Sequence, residues 1–251
     1  MDSSAPPAPL RAVFLDIGDT VMRAEPSWED IYATAFREEG IDVPLDELHD
    51  ALRKAYHHGG WGLENGFDPT PETSFRRTME IDSAAIAALG LSPMPESFYR
   101  RLNDLFLMVS SWHVFPDALP ALDGLRARRL VIGAVSNWVW QLPELLHSLE
   151  LMKHFDFIAA SARIGFEKPN PGIFRFAMRE AGVDASEALH VGDHLDADVL
   201  GARNVGIPAV LIDRRGRYDP DEVPANVPHI TSLAELLPIV DARRAPAERS
   251  A

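Results

Sequence analysis

Four residues of the chain have side chains suited to phosphoryl chemistry: Asp16, Ser136, Lys168 and Asp193. A carboxylate can attack a phosphoryl group, and a second carboxylate can bind a metal ion. A hydroxyl can donate to phosphate oxygens, and a lysine supplies a compact positive charge. Each residue also has an ordinary alternative role. The aspartates and the serine could cap turns or helices, and the lysine could be a solvated loop residue.

The segments before these residues predict how they are positioned. Apolar runs predict buried strands at residues 12–15, 130–135, 157–160, 188–191 and 207–212. Helical patterns separate the later strands, which predicts a parallel sheet with helices on both faces. The carboxyl ends of parallel strands lie at one edge, where open α/β sheets bind ligands. We therefore expect the four side chains to converge at that edge.

The segment between the first two strands contains helical patterns and no strand signal of comparable strength. Helices are predicted at residues 28–39, 45–57, 72–79, 83–89 and 96–110. Ser27 is the predicted N-cap of the first, with Asp30 in place of the capping-box glutamate. This pattern predicts an all-helical cap over residues 23–114 inserted in a core of residues 11–22 and 115–240. The remaining ends, residues 1–10 and 241–251, are predicted to be a disordered tail and a polar tail.

Composition excludes several classes of function. The formal net charge of −14 argues against nucleic acid or an anionic membrane as a partner. No cysteine is present, which excludes disulfides and thiolate chemistry. There is no signal-peptide pattern and no apolar run near the ~20 residues that span a bilayer, so we expect a cytoplasmic protein. Lysine occurs only at positions 54, 153 and 168 among 24 basic residues, which singles out Lys168.

The segments 16–20 and 192–198, together with Ser136 and Lys168-Pro169, resemble the four motifs of the haloacid dehalogenase superfamily. The predicted helical insert resembles the type 1 cap of that superfamily, and the resemblance extends over about residues 11–237. It implies a Rossmann-like, doubly wound α/β core with a mobile helical cap. It also implies a Mg²⁺-dependent phosphatase of a small phosphorylated metabolite, as a monomer or homodimer.

The resemblance also implies roles for individual residues. Asp16 would be the nucleophile that forms an aspartyl-phosphate, with Lys168 as its charge partner. The phosphate-binding residues would be Ser136, Asn137 and Lys168.

The implied Mg²⁺ site is formed by acidic residues and one backbone carbonyl. Asp16, the Gly18 carbonyl and Asp193 would be direct ligands. Asp198 would lie behind them, acting through water or Lys168. Oxygen ligands of this kind are those that Mg²⁺ prefers.

Gly18 departs from the superfamily pattern, because phosphatases of this superfamily usually carry an aspartate there as general acid/base. An acid occurs one residue later, at Asp19. Successive side chains of an extended segment point to opposite sides, although a tight turn could bring Asp19 to the site. If no other group has taken over as proton donor, we expect Gly18→Asp to raise turnover of esters with poor leaving groups. A slow phosphatase, a different reaction and a non-catalytic binding protein all stay open.

The resemblance leaves two other reactions of the superfamily as alternatives. A metal-free 2-haloacid dehalogenase is disfavoured, since Asp193 and Asp198 beside Asp16 would repel one another without a metal. A phosphonate hydrolase would use Lys54 as a Schiff base, whereas the ordinary alternative is a surface lysine. Cap residues that could face a substrate, or simply pack or lie exposed, are His57, His58, Trp61, Trp112 and His113.

Overall fold

A computed structural model of the protein describes residues 9–58 and 65–244, with only the backbone of residues 57 and 58. Residues 1–8 of the predicted tail 1–10, and Trp61, lie outside the described residues, whereas Leu10 at the end of that tail is buried. No helix in the described ranges is long and apolar enough to cross a membrane.

The described strands are β1 (Ala12–Leu15), β2 (Met22–Ala24), β3 (Trp112–Val114), β4 (Val131–Ser136), β5 (Phe157–Ala160), β6 (Ala188–Gly192), β7 (Ala209–Ile212) and β8 (His229–Ile230). The described α-helices are α1 (Trp28–Glu38), α2 (Leu45–His58), α3 (Pro71–Ala88), α4 (Glu96–Leu107), α5 (Ala118–Ala127), α6 (Leu142–Ser148), α7 (Ser161–Ile164), α8 (Pro171–Ala181), α9 (Gly201–Asn204) and α10 (Leu236–Arg244).

Six of these strands form one parallel sheet in the order β5-β4-β1-β6-β7-β8, which confirms the predicted fold class. In β1, Ala12 and Phe14 pack into one apolar cluster, while Val13 and Leu15 pack into the other. Alternate residues of a strand point to opposite faces, so β1 contributes to the core on both sides of the sheet. This is why its sequence is apolar without alternation.

The helices α1–α4 lie between β2 and β3, which pair as an antiparallel ribbon. Met22 is opposite Val114 and Ala24 is opposite Trp112. The prediction of a wholly helical insert is therefore wrong at its two ends. Three-residue strands are too short to show a period, and this pairing joins segments far apart in sequence. The division into core and cap at residues 23 and 114 stays a prediction.

Helix α3 is one continuous helix, where the sequence predicted two. Asp82, in the predicted break, is buried and accepts a hydrogen bond of 2.6 Å from the Tyr32 hydroxyl of α1. An aspartate inside a helix pattern favours a break locally, but this tertiary partner stabilises it within the helix.

The start of α1 lies where the sequence predicts it, whereas two other helices differ from the prediction at one end. Ser27 caps α1, because its side chain accepts from the Asp30 backbone N–H at 3.1 Å. The final helix, predicted to end at Val240, continues to Arg244, so the first four residues of the predicted polar tail are helical and Asp241 pairs with Arg128. The helix predicted from Ala197 begins with a π-helical turn, Leu195–Leu200, directly after Asp193.

Candidate active site

Asp16 follows β1 at the carboxyl edge of the sheet and is buried. Its Oδ1 accepts hydrogen bonds from Ser136 Oγ at 2.8 Å and from Lys168 Nζ at 2.6 Å. Ser136 is the last residue of β4, the neighbour of β1 in the sheet. The structure thus brings together the three side chains that the sequence placed on separate strands and loops.

Lys168 lies between two carboxylates, because its Nζ also donates to Asp198 Oδ1 at 2.6 Å. Burial alone favours the neutral amine, but the charges of Asp16 and Asp198 outweigh it and raise the pKa of Lys168 above its usual value. The lysine is therefore a fixed positive charge at the edge of the sheet.

The side chain of Asn137 holds the backbone of Lys168 in place. Its Oδ1 accepts from the Lys168 N–H at 2.7 Å, and its Nδ2 donates to the Lys168 carbonyl at 2.9 Å. Asn137 therefore positions the backbone of Lys168 through its side chain, and its role in phosphate binding stays a prediction.

Asp16, Asp193 and Asp198 each contribute a carboxylate oxygen to a cluster whose atoms lie within 4.8 Å of one another. Burial raises the pKa of Asp16, an effect that Lys168 opposes and Asp198 adds to. Burial and the charges of the other two acids raise the pKa of Asp193 to about 8. Although burial alone would raise the pKa of Asp198, Lys168 and His190 hold it below its usual range.

This donor set fits Mg²⁺, which binds carboxylate oxygens and would relieve the repulsion between the three acids. Close packing supports the cluster. A Cβ added to Gly192 would lie 2.2 Å from Asp198 Cγ, so the backbone of β6 approaches this carboxylate more closely than any larger residue allows.

Asp19 pairs with an arginine of the loop after β7. Its Oδ1 accepts from Arg215 Nη2 at 2.9 Å, and its backbone has a left-handed φ of 50°. Gly18 has no positive φ, and what adjoins it is the ring of Trp138. Metal binding by the Gly18 carbonyl stays a prediction.

His190 contributes to the site from the interior of β6, which sequence reasoning missed. Its Nε2 lies 2.8 Å from Asp198 Oδ1, and the His194 N–H donates to Asp198 Oδ2 at 3.1 Å. Both oxygens of Asp198 are thereby oriented. A histidine within an apolar strand, two residues before a Gly-Asp pair, was the available signal.

The loop after β7 carries three arginines that sequence reasoning also missed. Arg214 donates to the Thr20 carbonyl and to Asp117, Arg215 donates to Asp19, and Arg217 donates to Asp193 at 2.6 Å. Three arginines within four residues after a predicted strand, in a chain of charge −14, were the available signal.

Three tryptophans pack together beside Gly18. The ring centroids of Trp112 and Trp138 lie 5.0 Å apart, and Trp28 lies 5.2 Å from Trp112 and 6.1 Å from Trp138. Trp112 is buried, with its Nε1 donating to the Phe106 carbonyl at 2.8 Å, which matches its packing role. The group joins α1 and β3 to the loop that follows Asn137.

Helix α3 contacts the loop that follows Ser136 and the loop that carries Lys168. Arg77 pairs with the buried Glu167 at 3.0 Å, and Ser74 Oγ accepts from the Trp140 N–H at 3.0 Å. Glu167 immediately precedes Lys168, so the inserted helices contact the lysine loop next to the site through the Glu167 side chain.

The other insert residues singled out from the sequence are either exposed or outside the described residues. Lys54 is exposed on α2, and His113 is exposed on β3. The side chains of His57 and His58, and all of Trp61, lie outside the described residues.

Comparisons with known proteins agree with this geometry. A family model described as haloacid dehalogenase-like hydrolase matches residues 10–206. The chain is 33% identical to haloacid dehalogenase-like hydrolase domain-containing protein 3 of Homo sapiens, covering 92% of this chain and 94% of the relative. It is 31% identical to the glyceraldehyde 3-phosphate phosphatase of Methanopyrus kandleri, covering 86% and 89%. The solved L-2-haloacid dehalogenase of Xanthobacter autotrophicus superposes with a TM-score of 0.73 at 19% identity, covering 92% and 98%.

Proposed function

Since the chain belongs to the haloacid dehalogenase-like hydrolase family, we propose that it is a Mg²⁺-dependent phosphatase of a small phosphorylated metabolite. The observation that carries the proposal is Lys168, which bridges the carboxylates of Asp16 and Asp198 within hydrogen-bond distance. This arrangement supplies a nucleophile beside a fixed cation. The Methanopyrus kandleri relative is named as a phosphatase, which supports the same reaction class.

Asp16 is the proposed nucleophile. Ser136 and Lys168 both donate to its Oδ1, which orients the carboxylate so that Oδ2 attacks phosphorus. The new bond joins Oδ2 to phosphorus while the ester P–O bond breaks, and the leaving oxygen takes up a proton. Water then attacks the phosphorus of the aspartyl-phosphate and regenerates Asp16 with release of phosphate.

Charge neutralisation is the main task of the surrounding residues. Lys168 offsets the repulsion between the carboxylate of Asp16 and the phosphoryl oxygens. Asp16, Asp193 and the Gly18 carbonyl would hold Mg²⁺, with Asp198 fixed behind them by Lys168. When bound, Mg²⁺ supplies further positive charge at the phosphoryl oxygens.

A second candidate is a binding protein of the same fold without efficient turnover. The observation that favours it is Gly18, whose side-chain space adjoins the Trp138 ring, where an acid would otherwise assist the leaving group. General acid catalysis contributes ~10²–10⁴-fold, so its absence slows a phosphatase without abolishing it. Turnover separates the two candidates.

The test is phosphate release from a panel of phosphorylated metabolites, with Mg²⁺ or with EDTA. We expect Mg²⁺-dependent turnover by the wild type and background rates for Asp16→Asn. Asp123→Asn, an exposed aspartate on α5, is the matched control and should behave as wild type. Activity in Asp16→Asn, after removal of contaminating phosphatases, would contradict the mechanism. A wild type without turnover would favour the second candidate.

A further inference from the structure

The three arginines of the loop after β7 differ in how fully their side chains are engaged. Arg214 is 11% exposed and donates four hydrogen bonds to Asp117 and the Thr20 carbonyl. Arg217 is 39% exposed and donates to the side chain and carbonyl of Asp193. Arg215 is 55% exposed, and in the described part of the chain its guanidinium makes one hydrogen bond, to Asp19.

Arg215 also lines a cleft of about 410 Å³ between this loop and the first turns of α1 and α2. Trp28, Glu29, Asp46 and His49 line the same cleft. A space of this size is typical of sites for small molecules. Its walls come from the core loop on one side and from the inserted helices on the other.

The cleft adjoins the residues that follow the proposed nucleophile. Arg215 bonds Asp19, three residues after Asp16, at 2.9 Å. Trp28 packs on Trp138, whose ring lies against Gly18. These contacts join the cleft to Gly18 and Asp19, so the leaving group of a phosphate ester bound at Asp16 would reach the cleft if it extended past these two residues.

We propose that Arg215 binds a carboxylate on the leaving group, so that the substrates are phosphorylated carboxylic acids; this rests on the proposed phosphatase function. A guanidinium has five N–H donors in a planar fork that matches a carboxylate, and Arg215 uses one of them on Asp19. The free donors of this half-exposed side chain face a cleft that a substrate can enter.

In the described residues, the two acids that line the cleft make no hydrogen bond or ion pair with Arg215. Glu29 is engaged by His49, whose Nδ1 lies 2.7 Å from its carboxylate. Asp46 is exposed on the first turn of α2, where water and salt screen it. Arg215, although paired with Asp19, therefore keeps N–H donors for a substrate carboxylate.

The kinetic test compares ω-carboxyalkyl phosphates with alkyl phosphates of the same length, over one to three methylene groups. We expect the wild type to prefer the carboxylated ester by kcat/KM, and Arg215→Gln to reduce that preference by about 10- to 100-fold. Arg215→Lys should retain part of it. Arg179→Gln, an exposed arginine on α8, is the control and should leave the preference unchanged.

A binding test separates this inference from the phosphatase proposal. The same compounds are titrated calorimetrically, with Mg²⁺, into Asp16→Asn and into Asp16→Asn/Arg215→Gln. The inference is supported if carboxylated esters bind more tightly than alkyl esters to Asp16→Asn, and if this difference is lost in Asp16→Asn/Arg215→Gln. That result would hold even if the wild type turned over neither compound and the phosphatase proposal failed. Binding of the two series with equal affinity, binding of neither, or an unchanged preference in Arg215→Gln would overturn it, whatever the turnover.

Discussion

Trp138 lies directly against Gly18: a Cβ built on Gly18 would stand 3.3 Å from Cζ3 of the indole ring. The ring is packed in turn by Trp28 and Trp112, which limits how far it can move. The backbone of Gly18 is not left-handed, so its conformation does not require glycine. The constraint on residue 18 therefore comes from the neighbouring tryptophan.

This contact changes the expected outcome of placing an acid at residue 18. Gly18→Asp alone should give little gain on alkyl phosphates, because its side chain must displace the Trp138 ring. Gly18→Asp combined with Trp138→Ala should raise the ratio of alkyl to aryl phosphate turnover by at least about 10-fold, since only alkoxide departure needs protonation. Steady-state kinetics on ethyl phosphate and para-nitrophenyl phosphate measure the ratio.

The Trp138→Ala single variant is the control for the lost packing, and thermal unfolding checks that each variant is folded. A folded double variant with the alkyl-to-aryl ratio of Trp138→Ala would show that a missing acid at residue 18 does not limit turnover.

Removing the buried cation should destabilise the fold itself. In Lys168→Met the carboxylates of Asp16 and Asp198 lose their shared partner, and we expect the free energy of unfolding to fall by about 3–5 kcal/mol. Adding Asp198→Asn should recover part of that loss. Lys153→Met, at an exposed lysine 3.9 Å from Glu150, should change stability little. Urea unfolding without Mg²⁺ measures all four proteins, and a Lys168→Met protein as stable as wild type would refute the expectation.

Mg²⁺ binding should depend on the carboxylate cluster. Asp193→Asn removes one charged ligand, so its Kd for Mg²⁺ should rise by at least about 10-fold over wild type. Asp196→Asn changes an exposed aspartate in the π-helical turn that follows Asp193 and should retain wild-type affinity. Calorimetric titration of Mg²⁺ measures the affinities. Equal Kd values for Asp193→Asn and wild type would contradict the assignment.

Asp82 should make stability depend on pH. Burial, partly offset by the hydrogen bond from Tyr32, raises the pKa of Asp82 from 3.8 to about 7. Between these values the folded chain keeps a proton that the unfolded chain releases. The contribution of Asp82 to stability is therefore lost as pH rises toward and through about 7.

The Tm of the wild type should therefore fall as pH rises between about pH 4 and pH 8. Asp82→Asn cannot ionise, so its Tm should fall less over the same range. Asp104→Asn, exposed on α4, serves as the matched control and should keep the wild-type profile. If the Tm profiles of Asp82→Asn and wild type run parallel over this range, Asp82 is not the group responsible.

The sequence by itself determined the parallel sheet and the convergence of Asp16, Ser136, Lys168 and Asp193. Both follow from local patterns: apolar runs place the strands, and the common direction of parallel strands brings their carboxyl ends together. The N-cap at Ser27 is likewise a local signal.

The tertiary structure alone decided the remaining features of the site. Asn137 clamps the backbone of Lys168, Arg215 holds Asp19, and Trp138 adjoins Gly18. In the same way, Tyr32 stabilises Asp82 inside a continuous α3. Each pair joins residues that lie far apart in the chain, so no pattern within either segment predicts the contact. Only the packing of the inserted helices and loops on the sheet brings these partners together.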